Sequence, residues 1–497
     1  MNCLEGKMLK IGIQYEFSEH IDLYEKIISK ENLLRRIKEN IDFSFVNPML
    51  KKSYCERFGR PAKEPEMMFK LLFLKKLYDL SDEKLMENAN MHMGYKYFLN
   101  INPEDEVVDS SLLTKFRKTR ISEDILEEML RETVQQAIEK GIIKSRSIIV
   151  DSMHSKSSAK HETPTQILRR MTKELRKELY RTQNELSEKF PEKPEETADL
   201  NDEIEYSKKL IEAVKDEVEQ NGSQKAKKAA LKVLDLLENE KIREIQSAVD
   251  EDAKLGHKSE HNSFFGYKTH IAMTEERIIT GLEITTGEAA DGHYLQQLVN
   301  QSEENGIIVE EVVGDTAYSE KKNLEYAKEK NIKLISKLNP IISNGTGKQA
   351  KGFIYNKDAD MFQCPAGHLA IKKSKTTKRP ELQKANAVMR YFFDIKICKT
   401  CPNKDGCYKE GAKSHVYNVT ILSEAHKEQK EFQESDYFKE RAKQRYMIEA
   451  KNAELKQAHG LEKADSAGVI AMRLQSYFTA FVVNAKRIVK LVEKKAA

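Results

Sequence analysis

Two short apolar runs that close on an acid constrain this chain most. Ser147-Ile148-Ile149-Val150 leads into Asp151, and Val312-Val313-Gly314 leads into Asp315, within Gly314-Asp315-Thr316-Ala317-Tyr318. β-Branched runs this short read as strands buried on both faces. The carboxyl edge of such a sheet is where functional groups gather. Either aspartate alone also fits an ordinary strand end; their recurrence favours a functional reading. Between them, Phe265-Gly266-Tyr267-Lys268-Thr269-His270-Ile271-Ala272 and Ile278-Ile279-Thr280-Gly281-Leu282-Glu283-Ile284 flank the polar turn Thr274-Glu275-Glu276-Arg277, a hairpin signal. A helix from about Tyr294 to Asn305, another from Glu320 to Lys330 and a strand over 332–336 complete a mixed sheet flanked by helices, an α/β (mixed α+β) fold.

The segments around this core are helical. From Ser29 to Lys140, apolar residues recur at helical spacing, as at Met68, Leu71, Leu72, Leu74 and Leu77. Breaks at Pro61, Pro65, Leu80-Ser81-Asp82 and Asn102-Pro103 divide them into a bundle of short helices, with Ser81 a natural N-cap. The stretch Asp109 to Arg120 starts on cap residues and carries Lys115, Arg117, Lys118 and Arg120 beside an apolar seam. It is either a recognition helix for a major groove or the solvated basic face of a packing helix. Residues from about Thr165 to Ser247 form an inserted helical hairpin, broken near Pro191-Glu192-Lys193-Pro194 and Asn221-Gly222. A solvated antiparallel pair is preferred there over a surface for DNA or a second protomer. The apolar helix from Val469 to Val492 packs under the sheet and ends on Lys486, Arg487, Lys490, Lys494 and Lys495.

A third acid, Glu449, stands out by its neighbours. At about 100° per residue, Arg445, Glu449, Asn452 and Lys456 fall within roughly 60° on one helix face, and Ile448 and Leu455 project elsewhere. An exposed Arg–Glu pair at this spacing is otherwise a weak surface contact. With Asp151 and Asp315, the three carboxylates suit hard cations such as Mg²⁺. Asp250, Asp252 and Asp291 compete for that role; Asp291, in Ala289-Ala290-Asp291-Gly292-His293, reads as a helix N-cap. His257, His261 and His293 show no ligand pattern.

Cys364, Cys398, Cys401 and Cys407, with one tight C-x2-C pair, suit a tetrahedral structural Zn²⁺ in a ribbon-like insertion. Lys372, Lys373, Lys375, Lys378 and Arg379 beside them are candidates to grip DNA. Cys3 and Cys55 have no evident partners. Six cysteines in 497 residues are not a disulfide scaffold, so reduced thiols are expected. The 33% charged content and mean hydropathy of −0.65 call for long solvated helices, while 39% hydrophobic residues suffice for a core. A net charge of only +4 places nucleic-acid affinity in local patches. With no run of the roughly 20 apolar residues a membrane helix needs and no signal-peptide pattern, a cytoplasmic protein without a membrane partner is expected.

The motifs together resemble the DDE-type transposases of bacterial insertion sequences, in the branch with an InsH-type helical N-terminal domain. The resemblance runs through Phe58-Gly59-Arg60-Pro61, Val150-Asp151-Ser152, Phe265 to His270, Gly314 to Tyr318, and Glu449 to Arg487. Its Tyr-x2-Arg-x3-Glu-x6-Lys signature falls on Arg445, Glu449 and Lys456; the Tyr position is Ala442, with Tyr446 the candidate replacement for a phosphate contact. The resemblance implies an RNase H-like catalytic core in which Asp151, Asp315 and Glu449 hold two Mg²⁺ or Mn²⁺ ions and Arg445 and Lys456 assist. It implies cleavage and strand transfer at terminal inverted repeats of double-stranded DNA by a homodimer. The chain then divides into a helical DNA-binding domain (1–140), the first part of the core (141–160), the charged hairpin (161–255), the second part of the core (256–340), the zinc-ribbon-like insertion (341–425) and the core helices with Glu449 and the C-terminal helix (426–497). Some relatives stack a flipped base on Trp in a hairpin step; this chain has no Trp. Two other readings stay open: a non-catalytic DNA-binding repressor, and a structure-specific nuclease on the same fold.

Overall fold

A computed structural model describes residues 21–54, 62–182, 184–239, 242–258, 261–339, 352–356, 358–376, 388–405, 407–420 and 423–496. Phe58-Gly59-Arg60-Pro61, Cys3, Cys55, Lys378 and Arg379 lie outside them. The first eight helices are α1 (Ile21–Ile27), α2 (Leu33–Asn40), α3 (Val46–Lys51), α4 (Pro65–Leu77), α5 (Asp82–Met91), α6 (Met93–Leu99), α7 (Ser110–Arg120) and α8 (Glu123–Glu139). Their starts follow the sequence: Ser81 accepts a hydrogen bond from the Lys84 N–H and Asp109 from the Ser111 N–H. Phe43, Phe69, Phe73 and Phe98 meet inside, and Phe481 from the far end of the chain joins them.

Strand β1 (Ser147–Lys156) then enters the sheet, followed by the inserted helices α9 (Pro164–Thr182), α10 (Leu200–Asn221) and α11 (Gln224–Glu238). The insertion is three α-helices and not a hairpin: α9 gives way to a 3-10 helix (Asn184–Lys189) before the proline-rich break, and Asn221-Gly222 separates α10 from α11; Asp199 and Asp202 form a capping box at the start of α10. Leu175, Leu179, Leu210, Val214 and Val233 give it a core of its own.

The sheet continues with β2 (Lys254–His257), β3 (Ser263–Thr274) and β4 (Ile279–Thr286), then α12 (Leu295–Glu304), β5 (Glu311–Val313), α13 (Lys321–Glu329) and β6 (Lys333–Ile335). Its order is β2-β3-β1-β5-β6, with β4 also on β3; β1, β5 and β6 run parallel and β3 is antiparallel to β1, β2 and β4. The mixed sheet and its flanking helices are those the sequence implied.

An appended unit carries the hairpin β7 (Ile354–Asn356) and β8 (Met361–Gln363) and a three-stranded sheet of β9 (Lys372–Thr376), β10 (Val388–Phe393) and β11 (His415–Thr420), with α14 (Ile395–Thr400) between β10 and β11. The chain closes with α15 (Glu424–Phe432), α16 (Asp436–Ala442), α17 (Tyr446–His459) and α18 (Val469–Ala496). Helix α18 fills the space between the sheet and the first helices: Phe478, Phe481, Val482 and Val483 are buried in the same cluster as Leu71, Phe73 and Leu282. Packing is therefore continuous across residue 140, where the chain changes from helix to strand. Among the described residues no helix is long and apolar enough to cross a membrane.

Candidate active site at the sheet edge

The register of β1 on β5 brings the two aspartates together. Ile149 pairs with Val313 in parallel register; two residues further along each chain are Asp151 and Asp315. One expectation is corrected: Asp151 is mid-strand, because β1 stays paired with β3 as far as Lys156 opposite Gly266. It is only β5 that stops, so Asp151 lies past the end of the β1–β5 pairing. The chain turns after Asp315, whose carboxylate accepts the Ala317 N–H at 2.9 Å and caps a single 3-10 turn over Thr316–Tyr318. A Cβ at Gly314 would stand 2.7 Å from the Tyr318 ring, so the glycine permits this tight return.

Burial pushes the Asp151 carboxyl up to about 6; the Ser152 N–H and Arg445 oppose the rise, and the negative charges of Asp315 and Asp291 add to it. Helix α17 supplies the opposite wall. Asn452 donates to Asp151 Oδ2 at 2.9 Å. Lys456 feels Asp151 too, although burial dominates and lowers its pKa. Arg445, just before α17, lines a cleft with Gly314, Asp315, Thr316 and Lys337, and its guanidinium lies 3.6 Å from Glu449. Glu449 is 63% exposed and faces Arg445. Among the described residues no three His, Cys, Asp or Glu side chains stand as a ready-made metal cage. Arg445 offsets charge at Asp151, faces Glu449 and lines the same cleft as Asp315.

Buried polar atoms without a hydrogen-bond partner concentrate here. They include Asn452 Oδ1, the Tyr318 hydroxyl, Arg445 Nε and His270 Nδ1. Leaving such an atom unpaired costs on the order of 1–3 kcal/mol each, so a group of them marks a place built for something else. Tyr318 is fully buried, and burial, then Asp151, Asp291 and Asp315, hold its proton far more tightly than usual. Two carboxylates and the free Asn452 oxygen are hard donors, the chemistry that Mg²⁺ or Mn²⁺ prefers.

Asp291 requires a second correction. The cap of its 3-10 turn (Asp291–Tyr294) is Ala290, with no side-chain cap bond; the Asp291 carboxylate instead takes Lys268 Nζ at 2.9 Å. Its partner lies 23 residues back on a strand, beyond the reach of local capping rules.

The other candidates are dispersed. On α7, Lys115 and Lys118 are exposed, whereas Arg117 is bonded to Asp82 and Arg120 to the Ser53 carbonyl and the Tyr54 ring face. Tyr446 is 58% exposed, near Arg277. Lys373 pairs with Asp360, and Lys372 lies over Phe392 at 4.7 Å. Cys364, Cys398, Cys401 and Cys407 are free thiols lining one pocket. His415 joins them, with Nδ1 3.3 Å from Cys398 Sγ and Nε2 3.7 Å from Cys407 Sγ. Burial and the neighbouring cysteines raise the Cys398 and Cys407 pKa values. His415 escaped the sequence reading; its only signal was its place eight residues after Cys407.

Two family models match the chain. A Transposase domain (DUF772) matches residues 22–119, covering the helices from α1 to α7. A Transposase DDE domain matches residues 363–489, covering the cysteines, Arg445, Glu449 and Lys456. An uncharacterized protein of Rhizobium meliloti, ORF8 in the nfe locus, is 30% identical over 114 residues; that match spans 22% of this chain and 55% of the relative. The chain therefore covers about half the length of this curated relative.

Proposed function

The two transposase-domain matches support a DDE-type insertion-sequence transposase, and on that premise we propose that the chain binds the double-stranded ends of its element and cuts and rejoins DNA at the Asp151/Asp315 end of the sheet. One observation carries the reading: two strands and one helix bring Asp151, Asp315, Arg445, Asn452 and Lys456 to a single place where buried polar atoms stand unpartnered.

Asp151, Asp315 and Glu449 are the residues that would hold Mg²⁺ or Mn²⁺. Such ions, when bound, activate a water or 3′-hydroxyl and neutralise charge on the departing oxygen. The protein's own part is positioning. The Ala317 N–H fixes one Asp315 oxygen, and Asn452 fixes one Asp151 oxygen. Arg445 and Lys456 offer cations to a phosphodiester on the helix side, where a guanidinium binds two phosphate oxygens at once. Tyr446, exposed at the start of α17, is available to a second phosphate. Asp151 must be ionised to hold a cation, so Mn²⁺ binding by the metal-free protein should weaken as pH falls through about 6.

The remaining assignments follow from this one. Residues 1–140 serve as the DNA-binding region, with Lys115 and Lys118 as its exposed cations on α7. Pairing two ends makes a homodimer the working assembly. Four free thiols facing one pocket support a structural Zn²⁺ in the 341–425 unit; metal analysis under reducing conditions should find one zinc per chain, and a metal-free folded protein would remove it. A strand-transfer assay with labelled element ends and Mg²⁺ or Mn²⁺ separates the functional classes. Joined product is expected. Cut product alone would make the chain a nuclease, and binding alone a repressor.

A further inference from the structure

The far end of β1 carries a row of lysines outside the cleavage site. Strand register sets them side by side: Lys254 is opposite Gly266, Gly266 is opposite Lys156, and Lys156 bridges Lys463 in parallel register. Opposed residues of neighbouring strands share a face, at about 4.8 Å per strand. Gly266 keeps the middle of the row clear, because a Cβ there would stand 2.1 Å from the Ser155 carbonyl oxygen. Lys254 is tied back to the Glu244 carbonyl at 2.9 Å. Lys156 and Lys463 are exposed, and like charges in such adjacent positions repel.

Two more cations converge on the same place: Lys258, exposed just beyond β2, and Lys456 on α17. They surround His154, whose ring packs on Phe264 at 4.9 Å. Burial, then Lys456, Lys258 and Lys156, lower the His154 pKa to about 4, with Glu462 opposing, so the imidazole is neutral. Among the described residues Glu462, 65% exposed and 3.5 Å from Lys156 Nζ, is the one acid in an ion pair with any of Lys156, Lys258, Lys456 and Lys463. The row occupies the open edge left where β5 stops. There the Lys156 N–H donates to the Glu462 carbonyl and the Ala464 N–H to the Lys156 carbonyl, both at 2.8 Å. Lys156 stands roughly 16 Å along β1 from Asp151, at about 3.3 Å per residue. Side chains alternate along a strand, so the two leave it on opposite faces; Lys456 connects them, feeling both Asp151 and Lys156. Phosphates of one strand of B-DNA recur about every 3.4 Å of helix axis, which makes that span about five base pairs.

We propose that Lys156, Lys258 and Lys463 grip the phosphate backbone of the double-stranded element end, about five base pairs from the phosphodiester that is cut. Charge complementarity commits the surface to a polyanion, and its distance from Asp151 commits it to the duplex held there. Glu462 weakens the grip by pairing with Lys156. The inference rests on the Asp151/Asp315 end of the sheet being the place of cutting.

The test is binding and cutting of a labelled element-end duplex by the full-length protein across a salt series, with hydroxyl-radical footprints and a melting temperature for each variant. Lys156→Ala, Lys258→Ala and Lys463→Ala combined should weaken binding about tenfold or more and lower the salt slope by about 0.9 for each phosphate no longer neutralised. Protection should disappear in one patch about three to seven base pairs from the cut and persist elsewhere. The same three positions changed to Arg should bind as wild type does. Glu462→Gln should tighten binding and steepen the slope. Wild-type affinity, slope and footprint in the triple alanine variant, beside a wild type that cuts, would overturn the inference and leave the cutting site standing. A wild type that neither binds nor cuts element ends would overturn both. If the triple variant melts early, Glu462→Gln decides, because it leaves every lysine in place: tighter binding supports the proposal, and unchanged or weaker binding refutes it.

Discussion

The two ends of strand β5 carry acids four residues apart with opposite fates. At the amino end, Glu311 is buried and answered on every side: Tyr437 donates to it at 2.5 Å, Ser147 at 3.2 Å, and Arg441 pairs with both Glu311 and Glu275. At the carboxyl end, Asp151 is pushed up to about 6, and Asn452, Tyr318, Arg445 and His270 keep buried atoms without partners. Both ends are polar, acidic and fed by an arginine from neighbouring turns of the same segment, Arg441 and Arg445. The difference is satisfaction. A structural network completes its own hydrogen bonds, whereas a site that receives cations and phosphates leaves them incomplete until its ligands arrive.

The largest effect should come from the incomplete end. Asp315→Asn or Asp151→Asn removes a charge that the proposed metal chemistry needs, worth several kcal/mol or about a thousandfold in rate. Cleavage of labelled element ends should vanish while gel-shift binding survives; cleavage within tenfold of wild type would erase the distinction between the two ends.

Glu311→Gln should do the reverse. It leaves Arg441 short of a buried partner and should cost about 3 kcal/mol of stability, read by urea unfolding, with cleavage at permissive temperature unchanged. A stable but inactive Glu311→Gln would move the chemistry to the wrong end.

Asp151→Asn should also stabilise the protein near pH 7.5. The folded pKa of about 6 lies above the ordinary value of 3.8. The folded state thus binds the proton more tightly, and its stability falls as pH rises from about 4 through 6. Removing the charge should return on the order of 2–3 kcal/mol above pH 6 and nothing below pH 4. Equal unfolding curves at both pH values would show that burial at Asp151 is not strained.

The smallest effect concerns α7, where the same contrast appears on one helix. Burial alone would raise Asp82, but its bonds to Arg117 and Lys75 outweigh that and hold its pKa below the carboxylate range. Lys115 and Lys118 are exposed. Lys115→Ala with Lys118→Ala should lower the salt slope of DNA binding by about 0.9 for each phosphate no longer neutralised. Arg117→Ala should instead cost about 1 kcal/mol of stability. The opposite pattern would make α7 a packing helix only.

Much of this was legible in the chain. β-Branched runs announced β1 and β5, the polar turn announced the β3–β4 hairpin, and the helical period put Arg445, Asn452 and Lys456 on one face. Local rules failed where a partner is distant. Strand β1 outruns Asp151 because β3, more than a hundred residues later in the chain, keeps pairing with it to Lys156. Asp291 looked like a cap because Lys268 is on another strand. Glu449 was found by its neighbours, yet its exposure and its contact with Arg445 depend on the fold. Unpartnered buried atoms leave no trace in a sequence at all, which is why Tyr318 and His270 first gained meaning in three dimensions.

The most direct test is anomalous diffraction from Mn²⁺ in crystals of the protein on its element ends. The account predicts a manganese peak between the Asp151 and Asp315 carboxylates, within coordination distance of both. Peaks only elsewhere, with Asp151 and Asp315 bonded solely to protein, would contradict it.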